Sequence, residues 1–138
     1  MANPGDVLVH PTSGRRLIFR RTTAQTSGRF LDYILHYGCE ESRPVEHAHV
    51  DQEHQLEVLD GALEVSLCGR RHRLEPGDVL LVPAGKPHAA WNPFELPSRA
   101  MWHTLPAGGT ETRLEVEWLH EDVRRVDVDG NGIRPGMR

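Results

Sequence analysis

Apolar and polar residues alternate along most of the chain, in short runs broken by glycine and proline. Leu63, Val65 and Leu67 alternate with Glu64, Ser66 and Cys68, and Leu56 and Val58 alternate with Gln55 and Glu57. A strand points successive side chains to opposite faces, so this pattern predicts strands with one buried face. Turn formers cluster at 11–14, 26–28, 38–44, 60–61, 69, 76–77, 83–87, 93–98 and 106–110. Between them, 15–20, 30–37, 55–60, 62–68, 71–74, 78–82, 89–92 and 99–105 are rich in strand formers. Short strands at this spacing predict an all-β sandwich or barrel. The stretch 113–125 reads two ways: Leu114, Val116 and Trp118 alternate like a strand, while 111–125 tolerates a helix. A strand followed by a helix is the expectation there. The tail from 126 to 138 is polar and glycine-containing and is expected to be poorly ordered.

With 138 residues the chain has room for one domain with a core of its own. The expected division is an N-terminal arm at 1–14, a barrel at 15–120 and a C-terminal tail at 121–138. A net charge of −4 gives no electrostatic footprint for nucleic acid or an anionic membrane. Hydrophobic residues at 38% argue against disorder. Cys39 and Cys68 form no C-x-x-C pair and are expected to be free thiols in a reducing compartment. The start lacks the basic and apolar runs of a signal peptide, and no apolar stretch is long enough to span a bilayer. A cytoplasmic protein is the expectation.

What changes the picture is the histidines, nine in all. Two clusters stand out. One is His47-Ala48-His49, with Glu53 and His54 beyond it and Glu57 to Gly61 following; the other is Gly77, Pro83, Gly85, His88 and Asn92. Histidines at alternate positions of an extended segment share a face, so the imidazoles of His47 and His49 can reach one ion. The Pro83-x-Gly85 turn can deliver His88 as a third. Imidazole suits iron, nickel, copper and zinc.

These motifs resemble those of the cupins, a family of small β-barrels. The second cluster matches that family's second motif at every fixed position, and the first matches at both histidines and at the closing Gly61. The resemblance covers 15–105 and implies a double-stranded β-helix, or jelly-roll, barrel with one divalent metal inside its mouth. It implies His47, His49 and His88 as ligands. The chain departs from the pattern in two places. Glu41 stands where a glycine usually opens the first motif, and counting back from Gly61 to the usual glutamate ligand reaches His54, with Glu53 one residue off. Parity also favours His54, which shares a face with Leu56 and Val58. The site then resembles the four-histidine variant of some bacterial polyketide cyclases. Glu53 is the alternative if a bulge at 50–52 shifts the register.

The remaining candidates have ordinary readings beside the functional ones. His36 and His103 fall on expected strands and are candidates for supporting the ligands or moving a proton; a lone strand histidine is more often only a satisfied side chain. His10, His72 and His120 read as surface residues. Tyr33, Trp91, Phe94 and Trp102 either line a cavity or pack in the core or at a subunit contact. Asp127, Asp129 and Asn131 mimic a calcium loop but lack its closing glutamate. The arginine pairs read as solvated strand edges. The resulting expectation is a metal-dependent enzyme on a small organic substrate, of isomerase, cyclase or dioxygenase type. The alternative is a non-catalytic small-molecule binding or sensing cupin. Leu17 to Phe19 and Leu31 to Leu35 place apolar residues on both strand faces, which points to a homodimer.

Overall fold

A computed structural model describes residues 1–121 of the chain. The described residues form ten strands and one helix. The strands are β1 (Val7–Val9), β2 (Arg16–Arg21), β3 (Leu31–Tyr37), β4 (Glu53–Asp60), β5 (Leu63–Leu67), β6 (Arg70–Leu74), β7 (Val79–Val82), β8 (His88–Trp91), β9 (Ser98–Leu105) and β10 (Leu119–His120). The helix, α1, spans Thr110–Glu117. A seven-stranded sheet runs β10-β1-β2-β3-β9-β4-β7 and a three-stranded sheet runs β6-β5-β8, all antiparallel where they pair. This is the all-β jelly-roll of the sequence expectation, and each of the eight strands expected between 15 and 105 is present within two residues of its predicted ends.

The alternation decides what faces inward. Leu17 pairs with Leu35, Phe19 with Tyr33, and Tyr33 with Trp102. Trp102 in turn pairs with Leu56, and His54 with both Thr104 and Val82. Leu17, Phe19, Leu56, Val58, Leu63 and Val65 are all buried and meet in one core between the sheets. Burying a side chain of this size contributes about 1.5–3 kcal/mol each. The β4–β5 turn shows how tightly the two sheets close. Gly61 has φ +71°, and a Cβ there would lie 2.6 Å from the carbonyl oxygen of Pro97.

Two parts of the fold differ from the sequence expectation. The stretch read as strand then helix has the reverse order, with α1 first and the short β10 after it. Helix spacing places Leu114 and Trp118 one turn apart on the inner side and turns Val116 outward at 79% exposure, so the apparent alternation was coincidental. The first turn is anchored by Glu111, whose buried carboxylate accepts the backbone N–H groups of Ala2 and Thr23. Val7–Val9, read as part of an arm, instead forms β1 and pairs with both β2 and β10. The calcium-like Asp127 to Asn131 stretch and the expected tail lie outside the described residues, apart from Glu121.

Candidate metal centre

The two histidine clusters are held together by backbone before any side chain acts. The N–H of His47 donates to the carbonyl of His88 at 2.9 Å, and that of His88 donates back to His47 at 2.8 Å. This single antiparallel bridge extends the small sheet past β8. His49 follows on the same side, and its carbonyl accepts the N–H of Gly85 at 2.9 Å, which ties the Pro83–Gly85 turn to the first cluster. His54 comes from the opposite sheet, pointing inward from β4 with Leu56 and Val58.

The four imidazoles converge. Ring centroids lie 4.6 Å apart for His47 and His88, 5.0 Å for His47 and His49, 5.0 Å for His49 and His54, and 5.2 Å for His54 and His88. Ligand atoms of His47, His49 and His88 all fall within 4.8 Å of one another, so these three could hold one metal ion. Glu53 points to the other face of β4 and does not line the cavity. The β4–β9 register does shift, but between Val58 and Asp60, beyond His54, and leaves the parity of His54 unchanged.

Hydrogen bonds fix the rings. His88 Nδ1 lies 3.0 Å from the carbonyl of Lys86, an acceptor only, so Nδ1 donates to it and Nε2 is the nitrogen left for a ligand. His54 Nδ1 meets Thr104 Oγ1 at 2.9 Å. Its Nε2 is buried and has no partner among the described residues. An orphaned buried nitrogen is costly unless something binds it. Desolvation, reinforced by the neighbouring imidazoles and by Arg113, pushes His54 down to about 3 and His49 down to about 4. His47 is lowered as well, first by desolvation and then by His88. Neutral imidazole is the form that ligates a metal. The donor set and the orphaned nitrogen therefore fit a divalent transition metal.

The rings open onto a cavity of about 200 Å³. Leu17, Tyr33, Leu35, Tyr37 and Trp102 form one wall, and Thr110, Arg113, Leu114 and Trp118 form another. Burial pushes Tyr33 up to about 12 and raises Tyr37 further, so both phenols stay protonated near neutrality. Tyr37 accepts the indole N–H of Trp102 at 2.8 Å. Of the four aromatic candidates, Tyr33 and Trp102 line the cavity, while Trp91 lies under Arg43 and Arg71 and Phe94 under Arg73.

His36 and His103 do not line the cavity; they occupy the outward positions of β3 and β9. His103 Nδ1 bonds to Asp32 and its ring stacks on Phe30, and His36 sits beside Asp60 and Arg99. His10 does more than the surface reading allowed: its Nδ1 accepts the N–H groups of Thr12 and Ser13, and its ring meets Trp118 edge-on at 5.0 Å. Arg15, Thr110, Arg113 and Trp118 went unnoticed as lining residues in the sequence. The Gly108-Gly109 pair before Thr110 and Glu111 was the available signal for a helix start.

A jelly-roll whose two sheets enclose one small histidine-lined cavity defines a class of barrel proteins. The chain belongs to the cupin domain family, whose pattern matches residues 34–104. It is 33% identical to the quercetin 2,3-dioxygenase of Bacillus subtilis over 88 residues, which cover 59% of this chain but only 26% of that protein. Among solved structures it is similar to KdgF from Halomonas sp., with 21% identity and a TM-score of 0.64 over 75% of this chain and 89% of that one. It is also similar to a predicted oxalate decarboxylase from Thermotoga maritima, with 13% identity and a TM-score of 0.65 over 75% of this chain and 94% of that one. At these identities the two structures speak to the fold alone.

Proposed function

We propose that this chain is a metal-dependent enzyme acting on a small organic substrate bound in the central cavity. The observation that carries the reading is the grouping of the His47, His49 and His88 ligand atoms, with the His54 ring 5.0 Å from that of His49 and 5.2 Å from that of His88 and its Nε2 buried and unpartnered among the described residues. These four residues would hold one divalent ion, zinc, iron, nickel or copper. When bound, such an ion supplies a Lewis acid for a carbonyl or enolate oxygen, or an oxygen-activating centre if it is redox-active. With no carboxylate among the ligands, its full dipositive charge is available to an anionic oxygen, which favours isomerase or cyclase chemistry. The partial likeness to a dioxygenase supports the oxygen-dependent arm.

The protein's own residues shape the rest. The Lys86 carbonyl and Thr104 Oγ1 hold the rings of His88 and His54 in place. Trp102, Leu35 and Leu17 offer an apolar bed for the substrate body. α1 and the residue after it wall the cavity on one side with Leu114 and Trp118. The Tyr33 hydroxyl, protonated near neutrality, can donate a hydrogen bond to a developing oxyanion.

The test is reconstitution with each of the four metals, followed by two assays. One follows oxygen uptake with quercetin. The other follows deuterium wash-in beside the carbonyl of phenylpyruvate, which reports Lewis-acid enolisation without oxygen. Metal-dependent turnover in either assay supports the reading. Tight ligand binding with no turnover under any metal places the chain among binding or sensing cupins instead.

A further inference from the structure

The cavity has an electrostatic asymmetry that the metal reading does not use. Among the described residues no aspartate or glutamate lines it; its polar lining comprises four histidines, two arginines, two tyrosines and Thr110. Arg15 is already committed. Its Nε and NH2 donate to Glu41 at 2.9 and 2.7 Å, and its guanidinium lies over the Tyr37 ring. Arg113 is not. Its one carboxylate partner among the described residues is Glu117, at 3.4 Å and one turn further along α1, with the two side chains 46% and 53% exposed. A pair of this kind is worth little and leaves the guanidinium free to take a better partner.

Arg113 lines the same cavity as the four imidazoles, from the α1 side. A guanidinium on a cavity wall that carries no carboxylate among the described residues calls for an anion. Its planar fork matches a carboxylate in two parallel hydrogen bonds. The apolar part of the strand lining is formed by Trp102 of β9, Leu35 of β3 and Leu17 of β2.

We propose that Arg113 is a substrate-binding residue, and that the ligand is a small organic acid whose carboxylate pairs with this guanidinium while its apolar or aromatic body lies against Trp102 and Leu35. Selection for the anion thus comes from the helix, outside the strands and the loop that supply the imidazoles. The proposal rests on the cavity being the substrate site, and it requires no metal.

Benzoate and its neutral near-isostere benzamide are the probes, titrated against the full-length chain with tryptophan fluorescence as readout. Trp102 and Trp118 both line the cavity and will report occupancy. The titrations are run on chelator-treated protein, where a metal cannot itself bind the carboxylate, and repeated with zinc. Benzoate is expected to bind about ten-fold or more tightly than benzamide, the scale of one charge-assisted hydrogen-bonded pair. Arg113→Gln should abolish that preference, and Arg113→Lys should keep part of it. Equal binding of the two probes by the unmodified chain, or binding of neither, overturns the proposal, and so does an undiminished preference in Arg113→Gln. Metal uptake by the same protein separates the two claims. A benzoate preference in a chain that takes up none of zinc, iron, nickel or copper defeats the metal reading alone. Zinc uptake with no preference defeats the anion site alone.

Discussion

Glu53 and His54 are neighbours in the chain and face opposite sides of β4, so one peptide bond decides which of them can reach the site. His54→Ala should lower metal affinity by about 10–100-fold or more, because it removes an inward imidazole. Glu53→Ala should leave affinity nearly unchanged. Metal retained by the two variants after identical dialysis decides between them; loss with Glu53→Ala alone would mean that the carboxylate is the ligand. The same residues set a pH dependence. Desolvation holds His49 at about 4 and His54 at about 3, against 6.5 in the unfolded chain. Below 6.5 the unfolded chain takes up protons that the folded chain refuses. Stability of the metal-free protein should therefore be full above that value and fall progressively as the pH drops toward 4 and then 3. Thermal melts across this range test it, and His54→Gln should flatten the slope. A melting temperature independent of pH would contradict the burial argument. His54 was legible from parity alone, since Leu56 and Val58 mark its face. Arg113 was not, because nothing in a sequence says which arginine a helix will turn toward a cavity.

At the scale of elements, the strands were readable because each has its own alternation and its own flanking turn residues. α1 was misread because Leu114, Val116 and Trp118 alternate by chance within a segment whose helical anchors lie elsewhere. Glu111 bonds to Ala2 and Thr23, and the Gln52 amide donates to the carbonyls of Pro106 and Ala107 and to Thr110 Oγ1. Those contacts join residues far apart in sequence, and no local pattern announces them. They also link the loop carrying His49 to the first turn of α1, so the ligand loop and the cavity wall are mechanically joined. The β4–β5 turn makes a sharper prediction. Gly61→Ala imposes a left-handed φ on an L side chain and drives its Cβ to 2.6 Å from the Pro97 carbonyl. The expected cost is about 1–3 kcal/mol or more, seen as a lower denaturation midpoint with an unchanged slope. Unchanged stability would mean that the two sheets close less tightly at this corner.

For the whole molecule, the barrel and its histidine cluster follow from alternation and two spaced motifs, while the substrate does not, because the cavity wall is assembled from five strands and a helix. Among the described residues no helix is long and apolar enough to cross a membrane. Assembly is a further whole-molecule question. Leu17, Phe19, Leu31 and Leu35 are spent on the interior, whereas Ile18 and Ile34 take the outward positions of β2 and β3, Ile18 half-buried and Ile34 buried there among its neighbours. A homodimer is expected to cover that outer face, and light scattering should return twice the chain mass of 15.6 kDa; a mass of one chain at every concentration would refute it.

The central claim is that two sheets deliver four imidazoles to one metal. Elemental analysis of the purified protein, before and after chelation and re-addition of iron, nickel, copper or zinc, tests it most directly. The account predicts close to one transition metal per chain, lost on chelation, regained on re-addition and sharply reduced in His54→Ala. A protein that is metal-free as purified and takes up none of the four would contradict it.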